Sequence, residues 1–140
     1  MTINEIQDEL IEDFSFYQDW MEKYEFIIQL GKELPLIDES NKQDQYIIKG
    51  CQSKVWLFPE MKEDKLFFTA DSDAVITKGL VSLMVKVLSG HTPKEIAAAD
   101  LYFIDQIGLK EHLSPTRANG LLAMVKQMKL YALALSAKAS

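Results

Sequence analysis

The spacing of the apolar residues changes twice along this chain, and this change limits the folds open to it. Near the N-terminus, Ile3, Ile6, Leu10 and Phe14 recur at the interval of about one helix turn. Between residues 45 and 70 the chain carries short runs of β-branched and aromatic residues bounded by turn-formers, which is typical of strands. The second half returns to helical spacing. The order helix, sheet, helix predicts an α+β fold with helices covering one face of a small sheet.

Capping signals mark where the helices begin and end. Thr2 and Glu5 match a capping box, and Ser15 with Gln18 repeats that signal before a second helix through Leu30, which Gly31 would end. The run Asp71-Ser72-Asp73 offers N-cap side chains to a helix that ends near Leu88, and Thr92-Pro93-Lys94-Glu95 and Ser114-Pro115 start the last helices. The second helix is expected to bury Phe16, Trp20, Tyr24, Ile27 and Leu30, and the last helix Leu121, Leu122, Val125, Met128 and Leu133.

Three short strands are predicted over residues 45–49, 54–58 and 65–70, after a polar surface loop over residues 38–45. Strands spaced this closely form an antiparallel meander, so the sheet is predicted to have three strands. The run Gly50-Cys51-Gln52-Ser53 would connect the first two strands. This places Cys51 at one end of the sheet.

The composition narrows the class of protein. A chain of 140 residues with 48% hydrophobic and 26% charged residues suits a single globular domain over residues 1–140. Neither a membrane-spanning run nor a signal-peptide pattern is evident, and one cysteine cannot form an internal disulfide, which favours the cytoplasm. The net charge of −6 disfavours nucleic acid. Proteins or small molecules are the expected partners.

Cys51 is the sole cysteine, and its position in a turn after Gly50 suggests a thiol presented to another molecule. A buried structural cysteine is the alternative, because free cysteine is among the most buried residue types. Cysteine becomes a strong nucleophile once it is partly ionised, and the flanking Lys49 and Lys54 would favour the thiolate. Lysines at a sheet edge also discourage pairing with another strand, and this explains the presence of both lysines equally well.

Metal binding and Cys–His catalysis are both poorly supported. Cys51, His91 and His112 are the entire supply of cysteine and histidine, too few and too far apart for a zinc site or an Fe–S cluster, so no metal is expected. No cofactor is expected either. Both histidines flank helix ends and are expected at the surface. Arg117 stands in a first helix turn, where the dipole prefers acids. It therefore suggests a functional role or a carboxylate partner, for which Asp71 and Asp73 are candidates unless they only cap their helix.

The run Gly50-Cys51-Gln52-Ser53-Lys54-Val55-Trp56-Leu57 resembles the signature loop of the SufE family of sulfur-acceptor proteins. Three more motifs agree in order and spacing, so the resemblance extends over residues 24–128. One departure is Tyr46, where many members have Asn five residues before the cysteine. The further motifs are Leu30-Gly31-Lys32-Glu33-Leu34-Pro35, Asp71-Ser72-Asp73-Ala74 with Lys78-Gly79-Leu80, and Leu113-Ser114-Pro115-Thr116-Arg117 with Gly120.

This resemblance implies a fold similar to that of the IscU scaffolds and a role beside SufS, a PLP-dependent cysteine desulfurase. Family members activate the desulfurase, accept its sulfane sulfur as a persulfide on the loop cysteine, here Cys51, and pass it to the SufBCD scaffold for Fe–S assembly. In the family that cysteine rests against a hydrophobic pocket and swings out. Asp73 and Arg117 match positions implicated in loop control and partner contact. The residues expected to act in partner binding or loop control are Gly50, Gln52, Ser53, Lys54, Asp71, Asp73 and Arg117.

Three other functions remain open. The closely related CsdE proteins share this loop and serve a different desulfurase. A thiol-independent adaptor would bind and regulate its partner without using Cys51, and a Cys-dependent enzyme such as an acyl transferase or thiol peroxidase would turn over alone. The lack of an obvious base beside Cys51 disfavours the last function, so no stand-alone turnover is expected.

Overall fold

A computed structural model describes residues 1–139 of the chain. Two antiparallel strands form the sheet, and helices precede and follow them along the chain. The helices are α1 (Ile3–Ser15), α2 (Trp20–Gly31), α3 (Val75–Leu88), α4 (Pro93–Ala98), α5 (Phe103–Ile107), α6 (Leu109–His112) and α7 (Pro115–Ala139); the strands are β1 (Val55–Lys62) and β2 (Lys65–Ser72). Among these described helices, none is both long and apolar enough to cross a bilayer.

The two strands form a hairpin with one face in the core. Val55 pairs with Ser72 at one end and Lys62 with Lys65 at the other. Alternate residues of both strands point to the same side, where α3 packs across them. The predicted α+β fold with helices over one sheet face is thereby confirmed. The inward-facing residues are Val55, Leu57, Leu66, Phe68 and Ala70, all at most 1% exposed.

The strand predicted over residues 45–49 is wrong, so the sheet has two strands and not three. Residues Asp44–Tyr46 form a 3₁₀ turn, in which the Ile47 backbone N–H donates to the Asp44 carbonyl at 3.1 Å. That N–H is therefore bonded within the turn and is not available to a neighbouring strand. One isolated bridge joins Ile47 to Trp56, and the Ile48 N–H donates to the Val55 carbonyl at 2.8 Å. This short contact replaces the expected strand.

The other edge of the sheet is covered by two connecting segments. The Ala70 N–H donates to the Pro35 carbonyl at 3.1 Å, and the Ile37 N–H donates to the Ala70 carbonyl at 3.0 Å. Nearer the hairpin, the Leu66 N–H donates to the His91 carbonyl at 2.8 Å. Because these segments use the free hydrogen-bonding groups of β2, that edge is not left open to another strand.

The N-cap of α3 differs from the expectation. The strand β2 continues through Ser72, and Ala74 takes the cap position without a side-chain cap bond. The carboxylates of Asp71 and Asp73 have other partners, described below. The capping boxes at Thr2 and Thr92 are confirmed, since each threonine and the glutamate three residues later bond reciprocally.

Two predicted buried faces need correction. The second helix starts after Asp19, whose side chain caps it, so Phe16 lies outside that helix and is 77% exposed. On α7, Leu121 and Met128 are buried as predicted, but Leu122 and Leu133 are 44% and 57% exposed. Leu121 and Leu122 are neighbours about 100° apart around the helix, so both cannot face the same core. Met124 and Ala132 complete the buried stripe.

Helices α2 and α3 cross in close contact at two glycines. A Cβ built on Gly31 would lie 3.0 Å from the backbone nitrogen of Gly79. A Cβ on Gly79 would lie 2.6 Å from Cγ2 of Ile27 and closer still to the Ile27 carbonyl oxygen. One helix turn along α3, the Ser82 hydroxyl donates to the Leu30 carbonyl at 2.8 Å. The crossing fixes α3 beneath the sheet and so positions the residues at its N-terminus.

Candidate functional site

Cys51 lies in the loop before β1, with its side chain turned towards the N-terminal part of α7. Its Sγ donates to the Gly120 carbonyl at 3.5 Å, and the residue is half-buried. A small cavity of about 70 Å³ lies beside the thiol. Three distant stretches of the chain form its wall: the loop with Gln52 and Ser53, the start of α3 with Ala74, Thr77 and Leu80, and α7 with Thr116, Arg117, Gly120 and Met124.

Two glycines lie where the loop meets α7, and the backbone conformation of one of them, Gly50, requires glycine. Gly50 has a φ of 98°, a left-handed conformation that favours glycine, and a Cβ there would lie 3.2 Å from Cβ of Ala123. Gly120 stands opposite the thiol, and a Cβ on it would lie 3.5 Å from Sγ of Cys51. The loop can therefore lie flat on α7 with its thiol against the helix backbone.

The outgoing limb of the loop is tied to the end of β2. The Lys54 N–H donates to the Asp73 carboxylate at 3.1 Å, and the Ser72 hydroxyl donates to the Lys54 carbonyl at 2.8 Å. The Asp73 N–H also donates to the Lys54 carbonyl, at 3.3 Å. Between this tie and Ile48 on the incoming side, the thiol bond to Gly120 is the one side-chain hydrogen bond recorded for residues 49–53. The tip of the loop is thus held far less firmly than its ends.

The surroundings of Cys51 favour its neutral form. Burial raises the pKa of the thiol, because a charge is less well solvated in the half-buried position. The thiol is therefore protonated near neutral pH, which agrees with its role as donor to Gly120. A thiolate is the reactive form, so this arrangement describes a resting state.

Of the three cations expected to favour the Cys51 thiolate, one, Arg117, lies in the wall of the cavity. Arg117 lines the cavity with an exposed side chain, and its backbone N–H donates to the Ser114 hydroxyl at 3.3 Å. Lys49 and Lys54 are also exposed. Among residues 1–139 no ion pair of Arg117 is recorded, so neither Asp71 nor Asp73 is the carboxylate partner that the sequence suggested.

Asp71 forms a separate cluster on the sheet edge. Its carboxylate contacts Lys42 at 2.8 Å and Lys78 at 3.4 Å, and it also accepts the Ser72 N–H at 2.8 Å. Burial alone would raise the pKa of this carboxyl, but the hydrogen bonds from Lys42 and Ser72 and the charges of both lysines hold it below its usual range. Asp71 is not part of the cavity wall.

Neither histidine stands beside the thiol. His91 is buried, contrary to expectation, with Nδ1 at 3.2 Å from the Leu88 carbonyl and Nε2 at 3.0 Å from the Met1 carbonyl. His112 is exposed and stacks on Trp20, with ring centroids 4.1 Å apart. Both imidazoles have structural partners, so the cavity contains no histidine base for Cys51.

Some of the cavity residues were not expected from the sequence as site residues. Thr77, Leu80 and Met124 belong to helical stripes that indicate only a core position, and the spacing does not tell which core residues abut the loop. Gly120 offered a stronger signal, because glycine inside an otherwise helical stretch suggests close approach of another segment.

The family model "SufE: Fe-S metabolism associated domain" matches residues 8–132 of the chain. An uncharacterised SufE-like protein from Rhizobium etli is 41% identical over 127 residues, which span 87% of this chain and 86% of the relative. Another from Rhizobium meliloti is 39% identical over 127 residues, spanning 87% of this chain and 91% of the relative.

A solved structure has a fold similar to that of this chain. The solution structure of a hypothetical protein from Thermus thermophilus superposes with a TM-score of 0.77, covering 96% of this chain and 97% of that one. The two sequences are 17% identical, so this likeness bears on the fold alone.

Proposed function

This chain belongs to the SufE family, and from that premise we propose that it accepts sulfane sulfur on Cys51 from a SufS-type cysteine desulfurase. Family membership gives the chain a sulfur-transfer role in iron–sulfur metabolism. The finer proposal is that the sulfur is carried as a persulfide, that the chain activates the desulfurase, and that it delivers the sulfur to a SufBCD-type scaffold in the cytoplasm.

The observation that carries the proposal is the position of the thiol. Cys51 stands on a loop whose ends are tied to the sheet and whose tip is held by one weak bond to Gly120. A cavity beside the thiol leaves room that a close-packed core would not leave. A buried structural cysteine would pack on all sides, so the arrangement favours a thiol that moves between a sheltered and a presented position.

The transfer step is a thiol–disulfide exchange. The Cys51 thiolate attacks the outer sulfur of the persulfide on the desulfurase cysteine, and a new S–S bond forms as the old one breaks. The desulfurase cysteine leaves as a thiolate, and Cys51 becomes Cys51–S–SH. Electrons balance without an added oxidant, because sulfane sulfur is exchanged between two thiols. The Cys51 proton must leave first, since burial raises the pKa of the resting thiol.

The loop residues have assigned parts in this proposal. Movement away from Gly120 restores solvation to the thiol, and Lys49, Lys54 and Arg117 then favour its ionised form. Gln52 and Ser53 form the loop surface that meets the partner, with Gly50 as the flexible position before the thiol. Asp73 holds the outgoing limb through Lys54 while the tip moves.

The test is the intact mass of the protein after incubation with a SufS-type desulfurase, PLP and cysteine. A gain of one or more sulfur atoms is expected, reversed by reductant and absent from Cys51→Ser. Because Cys51 is the only cysteine, any reducible sulfur lies on it. Cys51→Ser should fold normally and fail to stimulate the desulfurase.

Other outcomes would contradict this function. Full stimulation by Cys51→Ser would favour a thiol-independent adaptor. Sulfur gain with a CsdA-type desulfurase, but none with SufS, would make the chain CsdE-like. Turnover by the isolated protein would indicate a Cys-dependent enzyme instead.

A further inference from the structure

The incoming limb of the Cys51 loop is anchored through Lys42, which precedes the thiol by two short turns. The Lys42 ammonium contacts the Asp71 carboxylate at 2.8 Å and the Glu39 carboxylate at 3.0 Å. Its side chain is 21% exposed, which is low for a lysine in a connecting segment. The ammonium also lies 5.2 Å from the ring centroid of Trp56.

Trp56 and Asp71 connect this lysine to the sheet. The two residues are cross-strand partners in the hairpin, and Trp56 is also the residue bridged by Ile47. Lys78 of α3 contacts the second oxygen of Asp71 at 3.4 Å, so the carboxylate joins the segment over residues 38–46 to both β2 and α3. The side chain of Asp71 is 17% exposed, and a carboxylate that little solvated needs these cations.

The chain between Lys42 and Cys51 leaves little freedom. After Lys42 come the turn Asp44–Tyr46, the Ile47 bridge and the buried Ile48. Tyr46 adds an edge contact to Phe58, with ring centroids 4.9 Å apart. Residues 43–45 and 49–50 of this segment are exposed, so the turn, the Ile47 bridge and the buried Ile48 are the contacts through which a displacement of Lys42 would reach Gly50 and the thiol.

We propose that the Asp71 cluster, made of Asp71, Lys42 and Lys78, is a positioning device that sets the incoming limb and thereby keeps the Cys51 thiol against Gly120. Lys42 is a positioning residue and takes no part in sulfur chemistry. The cluster thereby favours the sheltered position of the thiol over the presented one, and a partner must shift this equilibrium when it docks.

The direct test is the rate at which iodoacetamide alkylates Cys51 in the isolated, folded protein. Lys42→Met keeps an unbranched apolar side chain over Trp56, one atom shorter, and removes the charge. We expect alkylation to become about threefold faster or more, because a lost ion pair of this exposure changes a local opening equilibrium by about that factor. Charge alone would act in the opposite direction, since removing a cation disfavours the thiolate.

Three controls make the result specific. Lys62→Met makes the same substitution at the far end of β1, where a more exposed lysine lies 4.0 Å from Glu60 and 5.4 Å from the Phe67 ring centroid, and it should leave the rate unchanged. Lys42→Arg should restore slow alkylation. The alkylation rate of Lys42→Met should also stay the same when urea is added at low concentration. Local opening exposes little surface and so responds weakly to urea, whereas global unfolding exposes much.

A double-mutant cycle tests the cluster itself. Asp71→Asn should accelerate alkylation, and adding Lys42→Met to it should accelerate it little further. Unchanged or slower alkylation of Lys42→Met, or fully additive effects in the cycle, would overturn the proposal.

The consequence for sulfur transfer rests on the proposed function. With a SufS-type desulfurase, Lys42→Met should lower the concentration needed for half-maximal stimulation by about threefold, with the maximal rate unchanged, because the thiol is already away from Gly120 in a larger fraction of the molecules that the partner meets. If wild-type protein takes up no sulfur while Lys42→Met still alkylates faster, the proposed function fails and the positioning role stands. If sulfur is taken up but alkylation does not respond, the positioning role alone fails.

Discussion

At the scale of single residues, two glycines in helices meet very different surroundings. Gly79 faces the backbone of α2, whereas Gly120 faces the Cys51 thiol across an ordinary contact distance of 3.5 Å. A methyl group on Gly79 would have to displace the Ile27 main chain, which no side-chain rotation can relieve. The same chemical change should therefore have opposite effects at the two positions.

Gly79→Ala should destabilise the fold by about 3 kcal/mol or more, as expected for overpacking against a rigid backbone. Gly120→Ala should be neutral or stabilising by up to about 1 kcal/mol, because alanine favours the interior of a helix. Urea unfolding of both variants measures this difference. Equal stability of the two variants would mean that α2 and α3 are able to separate at their crossing.

At the scale of the elements, α4 depends on its N-terminal cap. The Thr92 hydroxyl accepts the Glu95 N–H at 3.2 Å, and the Glu95 carboxylate accepts the Thr92 N–H at 3.0 Å. The helix has six residues and packs against α7, so it cannot rely on its own length for stability.

Thr92→Ala should lower the free energy of unfolding by about 1 kcal/mol, whereas Thr92→Ser, which keeps the hydroxyl, should lower it much less. Thermal unfolding followed by circular dichroism compares the two variants. A similar loss in both would attribute the effect to the threonine methyl group and not to the cap.

How far an element could be predicted depended on whether its signal is local. The caps at Thr2 and Thr92 are local, since both partners lie within four residues, and both were predicted. The strand expected over residues 45–49 depended on a partner distant in the chain, and this pairing competed with a turn that uses the Ile47 N–H. The carboxylates of Asp71 and Asp73 looked like helix caps, and only the tertiary fold brings Lys42, Lys78 and Lys54 to them. For the same reason Cys51 was predictable as a loop residue, but its contact with Gly120 was not.

At the scale of the whole molecule, several proton-binding groups hold their protons more tightly in the fold than outside it. The hydrogen bond from Tyr102 to Asp8, with burial and nearby acids, raises the Tyr102 pKa from 10.0 to about 12. Burial raises the pKa of Cys51 and of Tyr131, and the hydrogen bond to Asp71 raises that of Lys42. Each group therefore contributes stability that is present below its unfolded pKa and lost as the pH rises through its folded pKa.

The free energy of unfolding should consequently be lower at about pH 10.5 than near neutral pH. Tyr102→Phe should show a smaller decrease, because it lacks one of the groups that lose their protons. Urea titrations of both proteins at the two pH values measure the difference. A wild-type stability that is constant or rises over this range would contradict the raised pKa values.

The cavity beside the thiol also has an experimental use. Its walls come from the Cys51 loop, α3 and α7, which are far apart in the chain and meet only in the folded protein. Since the chain has a single cysteine, its thiol is an intrinsic probe of the fold that needs no engineered residue. Brief pulses of a thiol reagent on the purified protein at increasing urea concentrations would follow unfolding, because Cys51 reacts faster once the three walls separate. Cys51, the proposed site of sulfur transfer, would then also report the fraction of the protein that is folded.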